Sequence, residues 1–196
     1  VFEGGSINVD GEGTLITTEQ CLLNKNRNPH LTKEKIEENL KENFAISKII
    51  WLKYGIDEGT DGHVDNVACF IKPGTIMALT CYDKSDPYYD KLNDNLEILK
   101  SSTDSLGKRF NVIELEMSYE RLIPDSNEPC SYINYYITNG GIILPSFDNQ
   151  KADENAKKVV QSAFPDRKLI SIAGLDILLG GGNVHCITQQ QPRAKI

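Results

Sequence analysis

Apolar and polar positions alternate in short runs along the chain, and longer stretches between those runs have a helical period. Residues 6–10 and 14–18 alternate on either side of Gly11-Glu12-Gly13, which predicts a hairpin whose turn uses the positive φ that glycine tolerates. Thr32 precedes a stretch, 33–43, that carries Ile36 and Leu40 four positions apart. This predicts an N-capped helix with one apolar face. Lys48-Ile49-Ile50-Trp51-Leu52 then reads as a buried strand.

The same order recurs twice. Residues 64–71 and 75–81 predict strands around Pro73-Gly74. Asp86-Pro87 predicts a helix start continued by 88–102 with Leu92, Leu96 and Leu99 along one stripe, and 110–117 reads as a strand. Residues 132–138 and 142–144 flank the turn signal Asn139-Gly140-Gly141, 151–164 carries Ala156, Val159, Val160 and Ala163 at helical spacing, and 168–172 is a strand. Two shorter strands, 176–179 and 184–188, surround the closing glycine run. The expectation is an α/β (α+β) protein of three β-β-α-β units with helices starting near residues 32, 86 and 151, in one domain spanning 1–196. Three units do not close a ring, and an open array would expose strand edges. The pattern therefore predicts further units or a partner chain, either an N-terminal piece or another copy.

Composition narrows the function classes. The 196 residues carry a net charge of −7 with 39% hydrophobic and 25% charged residues, as in ordinary globular proteins. No apolar run approaches the ~20 residues of a membrane helix. Basic clusters are absent, so neither a membrane nor a nucleic-acid partner is expected. Five widely spaced cysteines without a C-x-x-C pair read as reduced thiols of a cytoplasmic protein. The opening Val1-Phe2-Glu3 reads like mid-protein sequence and predicts a domain incomplete at its N-terminus.

Few residues can do chemistry. His63 and Asp65, read as i and i+2 of a strand, would share a face, where a base and a carboxylate suit proton transfer on a cation. The plainer reading is a turn-capping Asp and a packed His. Gly180-Gly181-Gly182 lets the backbone approach a ligand, making Gly181, Gly182 and Asn183 binding candidates. His185 and Cys186, as strand neighbours, would face opposite sides, so a nucleophilic Cys186 would need His63 as its base and His185 reads as a packing or surface residue. Glu3, before Gly4-Gly5, could orient a histidine, or be a solvated loop acid. The stretch 24–30 reads as a polar loop, and Trp51, Tyr88-Tyr89 and Tyr135-Tyr136 as core or rim.

Taken in order, Glu3-Gly4-Gly5-Ser6-Ile7-Asn8-Val9-Asp10-Gly11-Glu12-Gly13-Thr14, Cys21-Leu22-Leu23-Asn24-Lys25-Asn26-Arg27-Asn28-Pro29, Gly62-His63-Val64-Asp65-Asn66, Ser131-Tyr132-Ile133-Asn134-Tyr135-Tyr136 with Asn139-Gly140-Gly141, and Gly181-Gly182-Asn183-Val184-His185-Cys186-Ile187-Thr188-Gln189-Gln190-Gln191-Pro192 resemble the agmatine deiminase family of the guanidine-modifying pentein superfamily. The resemblance implies a five-bladed α/β-propeller, about three blades of which lie in this chain. It also implies hydrolysis of agmatine to N-carbamoylputrescine and ammonia on a route from arginine to putrescine, with no metal or organic cofactor. It makes Cys186 the nucleophile, His63 the general acid/base, Asp65 a carboxylate holding the guanidinium, and Glu3 the acid supporting the histidine.

The family also carries a second guanidinium-holding aspartate in an Arg-Asp-x-Gly-Pro motif upstream of Glu-Gly-Gly. This chain has no such motif, which predicts little activity without an associated N-terminal piece. Gly59 stands where members often carry an acidic residue, with Glu58 and Asp61 beside it, and the link from Met117 to Cys130 is short for the family. The rival expectations are another guanidine substrate such as peptidyl arginine, a non-catalytic relative serving as a binding or assembly module, and, last, zinc held by His63, Asp65, Glu3 and Cys186.

Overall fold

The computed structural model describes residues 1–119 and 130–191. Its strands and helices follow one order three times: two antiparallel strands, a helix, then a third strand parallel to the second. In the first unit, β1 (Ile7–Val9) pairs antiparallel with β2 (Thr14–Thr18). A short helix, α1 (Glu19–Leu22), and then α2 (Lys33–Phe44) lead to β3 (Lys48–Leu52), parallel to β2 in the register Leu15↔Ile49. The second unit is β4 (Ala68–Lys72), β5 (Thr75–Thr80), α3 (Tyr89–Ser101) and β6 (Asn111–Glu116). The third is β7 (Tyr136–Thr138), β8 (Gly141–Ser146), α4 (Gln150–Ala163) and β9 (Lys168–Ala173), followed by a short α5 (Leu175–Leu179).

The local chemistry that ends and starts these elements is visible in the sequence. Thr32 Oγ1 accepts the Lys35 amide at 3.3 Å and Asn149 Oδ1 that of Ala152 at 3.0 Å, each satisfying an otherwise orphaned donor of the first helical turn. Gly140 closes the β7–β8 hairpin at φ 74°, a conformation that costs a residue with a Cβ about 1–2 kcal/mol. The apolar stripes of α3 and α4 (Leu92, Leu96 and Leu99; Ala156 and Val160) enter one core with Ile16, Leu52, Ile76, Met77, Leu79, Leu115, Leu144 and Phe147. A smaller cluster of Leu15, Cys21, Leu22, Ile36, Leu40 and Ile46 lies beneath α2. Each fully buried aliphatic side chain in these clusters contributes roughly 1.5–3 kcal/mol. Among the described residues no helix is long and apolar enough to cross a membrane.

Five sequence expectations are corrected. Residues 64–66 form a 3₁₀ turn rather than the start of a strand, and β4 begins at Ala68. Asp86-Pro87 does not open α3 directly. Asp86 instead holds a turn through its carbonyl to the Tyr89 amide and its Oδ1 to the Tyr88 amide, and the helix begins at Tyr89. Residues 132–135 are turn and coil: the Ile133 amide is taken by Ser131 Oγ and the Asn134 carbonyl accepts the His185 amide, so neither group serves a strand ladder. The stretch 176–179 is helical, inside Leu175–Leu179. The segment 184–188 is a loop of turns, with the Ile187 amide on Asn183 O and the Thr188 amide on His185 O. The expectation of a shortened link falls on residues 120–129 and lies outside the described residues.

Candidate active site

Three loops meet at one end of the sheets: the turn before β1, the loop before β4, and the loop after α5. The loop before β4 is fixed first. Thr60 Oγ1 accepts the His63 amide at 3.2 Å and donates to Asp57 Oδ2 at 2.9 Å, while Thr18 Oγ1 donates to the Gly62 carbonyl at 2.6 Å. The 3₁₀ turn that follows removes the strand alternation expected for His63 and Asp65. Their side chains converge nonetheless, for a different reason: both close on Gly5. A Cβ at Gly5 would lie 2.6 Å from His63 Nδ1 and 2.7 Å from Asp65 Oδ2, so only a bare backbone leaves the two groups this close together.

Glu3 reaches the other ring nitrogen. Its Oε2 lies 3.3 Å from His63 Nε2 and accepts Arg27 Nε at 2.9 Å. Arg27 also donates to Asp61 Oδ2 at 2.7 Å and to the Thr60 carbonyl at 2.8 Å. Partial burial pushes the Glu3 carboxyl up, but the Arg27 hydrogen bonds and charge, with a smaller contribution from His63, outweigh it and hold Glu3 below its ordinary value. An ionised Glu3 orients the imidazole by a charge-assisted bond.

The loop after α5 brings the sulfur. Cys186 Sγ sits 3.4 Å from Asp65 Oδ2 and 3.3 Å from Asn134 Nδ2, and His185 Nδ1 sits 2.8 Å from the same Asp65 oxygen. His185 and Cys186 thus share one carboxylate. The expected opposition of the two residues fails because the segment turns instead of extending. Asp65 is 3% exposed, and its second oxygen, Oδ1, has no hydrogen-bond partner among the described residues. A buried carboxylate oxygen left unpaired is costly, and a cation presenting N–H donors would relieve that cost.

Desolvation, followed by the Asp65 carboxylate, pushes the Cys186 thiol from an ordinary 9.0 up to about 11. Cys21 and Cys69 are pushed up to about 12 by burial. Of the five thiols, Cys186 alone is exposed.

Glu3, His63, Asp65, His185, Cys186 and Gly181 line a cleft of ≈ 530 Å³, large enough for a small extended ligand. Gly181 is the only one of the expected binding trio on that wall. Gly182 is closed behind the thiol at φ 91°, where a Cβ would stand 2.7 Å from Cys186 Sγ. Asn183 is 2% exposed and uses its amide to bind the Gly174 carbonyl and the Val184 amide. Among the described residues, Glu3, Cys21 and His63 have potential metal-ligand atoms within 4.8 Å of one another, although the Arg27 guanidinium already neutralises Glu3 there.

Three members of this site were not singled out in the sequence. Arg27 lies in a stretch that reads as polar loop, Asn134 in one that reads as strand, and His185 reads as a packing or surface residue. An arginine and several asparagines between helix signals can anchor a loop internally, but that signal does not name a partner.

The sequence pattern of the Porphyromonas-type peptidyl-arginine deiminase family matches residues 1–192. An agmatine deiminase of Medicago truncatula is 44% identical over 213 residues, covering 98% of this chain and 57% of the relative. One of Pseudomonas syringae pv. syringae (strain B728a) is 46% identical over 212 residues with the same coverage. The solved structure of the agmatine deiminase of Enterococcus faecalis superposes with a TM-score of 0.93 at 38% identity, over 98% of this chain and 57% of that one. The chain therefore spans a little over half the length of the relatives it matches, and the neighbouring structures are pentein-fold deiminases and amidinotransferases.

Proposed function

The chain belongs to the Porphyromonas-type peptidyl-arginine deiminase family, and from that premise we propose that its cleft serves the hydrolysis of agmatine to N-carbamoylputrescine and ammonia. The observation that carries this reading is the meeting of the cleft-lining Cys186 sulfur and a buried, half-unpaired carboxylate at 3.4 Å, beside an imidazole backed by an acid.

The chemistry follows from the substrate. A guanidinium is planar and stays protonated at physiological pH. Its carbon is a weak electrophile and its nitrogens are poor leaving groups. Asp65 accepts N–H bonds from that cation and fixes its plane against the sulfur. The cation in turn offsets the Asp65 charge that disfavours the thiolate, so substrate binding itself promotes loss of the Cys186 proton, which passes to His63. Sγ adds to the guanidinium carbon. His63 returns the proton to the departing nitrogen, the C–N bond breaks and ammonia leaves, and an S-alkylthiouronium remains on Cys186. Water, giving a proton to His63, adds to the same carbon. The C–S bond then breaks, the added hydroxyl gives its proton to solvent as the urea-type product forms, and His63 returns its proton to Cys186 Sγ. Positioned acid/base catalysis contributes typically ~10²–10⁴-fold. Glu3 keeps the imidazole aligned through both transfers.

Agmatine, rather than arginine at a peptide terminus, is the substrate favoured by the relatives at 44–46% identity. The test is ammonia release by the protein carrying this chain, with agmatine, free arginine and a peptidyl arginine compared at equal concentration. Agmatine is expected to give the highest kcat/KM. A preference for either arginine substrate overturns the substrate assignment, and tight agmatine binding without any ammonia overturns the catalytic one.

A further inference from the structure

Asn134 is fully buried, and its side-chain amide sits between two of the three site loops, the one before β4 and the one after α5. On one side Oδ1 accepts the backbone amides of His185 at 2.9 Å and Cys186 at 3.4 Å. On the other, Nδ2 approaches the Asp65 carbonyl at 3.4 Å and Cys186 Sγ at 3.3 Å. The orientation of the amide is forced. Two backbone N–H groups can face only its oxygen, and a backbone carbonyl can face only its NH₂. The Asn134 backbone carbonyl also accepts the His185 amide at 3.1 Å, and the side chain adds the links from that loop to Cys186 Sγ and the Asp65 turn.

The other groups around that sulfur respond differently to ionisation. Asp65 Oδ2 at 3.4 Å and Asn134 Oδ1 at 3.5 Å can accept from the thiol but repel a thiolate. Nδ2–H is the contact that strengthens when the sulfur becomes negative, since a hydrogen bond to a charged acceptor is stronger than one to a neutral acceptor. We infer that Asn134 is a positioning residue that aims the Cys186 sulfur at the cleft and stabilises its thiolate through the Nδ2 amide. This deepens the nucleophilic role given to Cys186 above, and rests on it.

The test uses substrate-free protein, so that it does not depend on agmatine being the substrate. The rate of Cys186 alkylation by iodoacetamide, located by peptide mass mapping, is followed with pH for Asn134→Ala, Asn134→Asp and Ser131→Ala, with circular dichroism on each. Ser131 is the control. It is buried in the same segment and donates to the Asn66 carbonyl at 2.7 Å. Loss of a charge-assisted donor should lower the alkylation rate about tenfold at a fixed alkaline pH in Asn134→Ala and move the pH profile upward. Asn134→Asp keeps the size and the acceptor oxygen but replaces the NH₂ donor by a second oxygen, so it should shift the profile at least as far. Ser131→Ala should leave the profile in place even if the protein melts lower. Unchanged profiles in both Asn134 variants, or an equal shift in Ser131→Ala, overturn the inference. A shifted profile in protein that does not hydrolyse agmatine leaves the inference standing and removes the substrate assignment alone.

Discussion

Cys186 Sγ and Asp65 Oδ2 lie 3.4 Å apart although 121 positions separate them in the chain. The pairing works against the free thiol and in favour of the bound cation, and the two effects can be separated by one substitution. Asp65→Asn keeps the shape and removes the charge. Without agmatine, alkylation of Cys186 should become faster, because the thiol moves down from about 11. With agmatine, kcat/KM should fall by roughly 10–150-fold, the loss of a charged hydrogen-bond pair worth about 1.5–3 kcal/mol. Opposite signs in the two assays are the signature; a fall in both contradicts it.

Alkaline pH should destabilise the protein. The thiols of Cys21 and Cys69 are pushed to about 12 and that of Cys186 to about 11, all above the ordinary 9.0. Between the ordinary and the raised values the folded chain holds protons that the unfolded chain has released. The stabilisation is therefore complete below 9.0 and is lost as pH rises through the folded values. Tyr119, Tyr132 and Tyr135, whose hydroxyls are raised by burial, add in the same direction. Urea midpoints measured up the alkaline range should decline steadily, and a flat or rising midpoint contradicts this.

Gly5→Ala separates site geometry from folding. Gly5 does not have a positive φ, so its backbone accepts alanine, but the new methyl would stand 2.6 Å from His63 Nδ1 and 2.7 Å from Asp65 Oδ2. Displacing both groups by about an ångström should cost on the order of 10²-fold in turnover, with a lower melting temperature but a cooperative unfolding transition kept. Full activity in a folded Gly5→Ala protein contradicts the convergence of these three residues.

The three-unit architecture was legible because it rests on signals a few residues long: the glycine turns, Thr32 as a cap, and the stripes on α3 and α4. The site was legible in part. Glu3, His63, Asp65 and Cys186 could be named, yet the strand geometry expected to align His63 with Asp65 is absent, and a tight turn with a bare Gly5 does that work. The segment 184–188 misled because alternation over five residues also fits a loop packed on one side. Once the chain turns there, His185 and Cys186 reach the same carboxylate. Asn134 and Arg27 were missed because each acts by bonding loops far away in sequence, and periodicity carries no trace of that.

The central claim is that Cys186 is the nucleophile of a guanidinium site. Its most direct test is peptide-mapped mass spectrometry after incubation with a haloacetamidine, an electrophile shaped like the substrate's planar cation, with and without agmatine. The account predicts one adduct, on Cys186, suppressed by agmatine, with the buried Cys21, Cys69, Cys81 and Cys130 unmodified. An adduct that agmatine does not suppress, or labelling spread over the other thiols while Cys186 stays free, would contradict it.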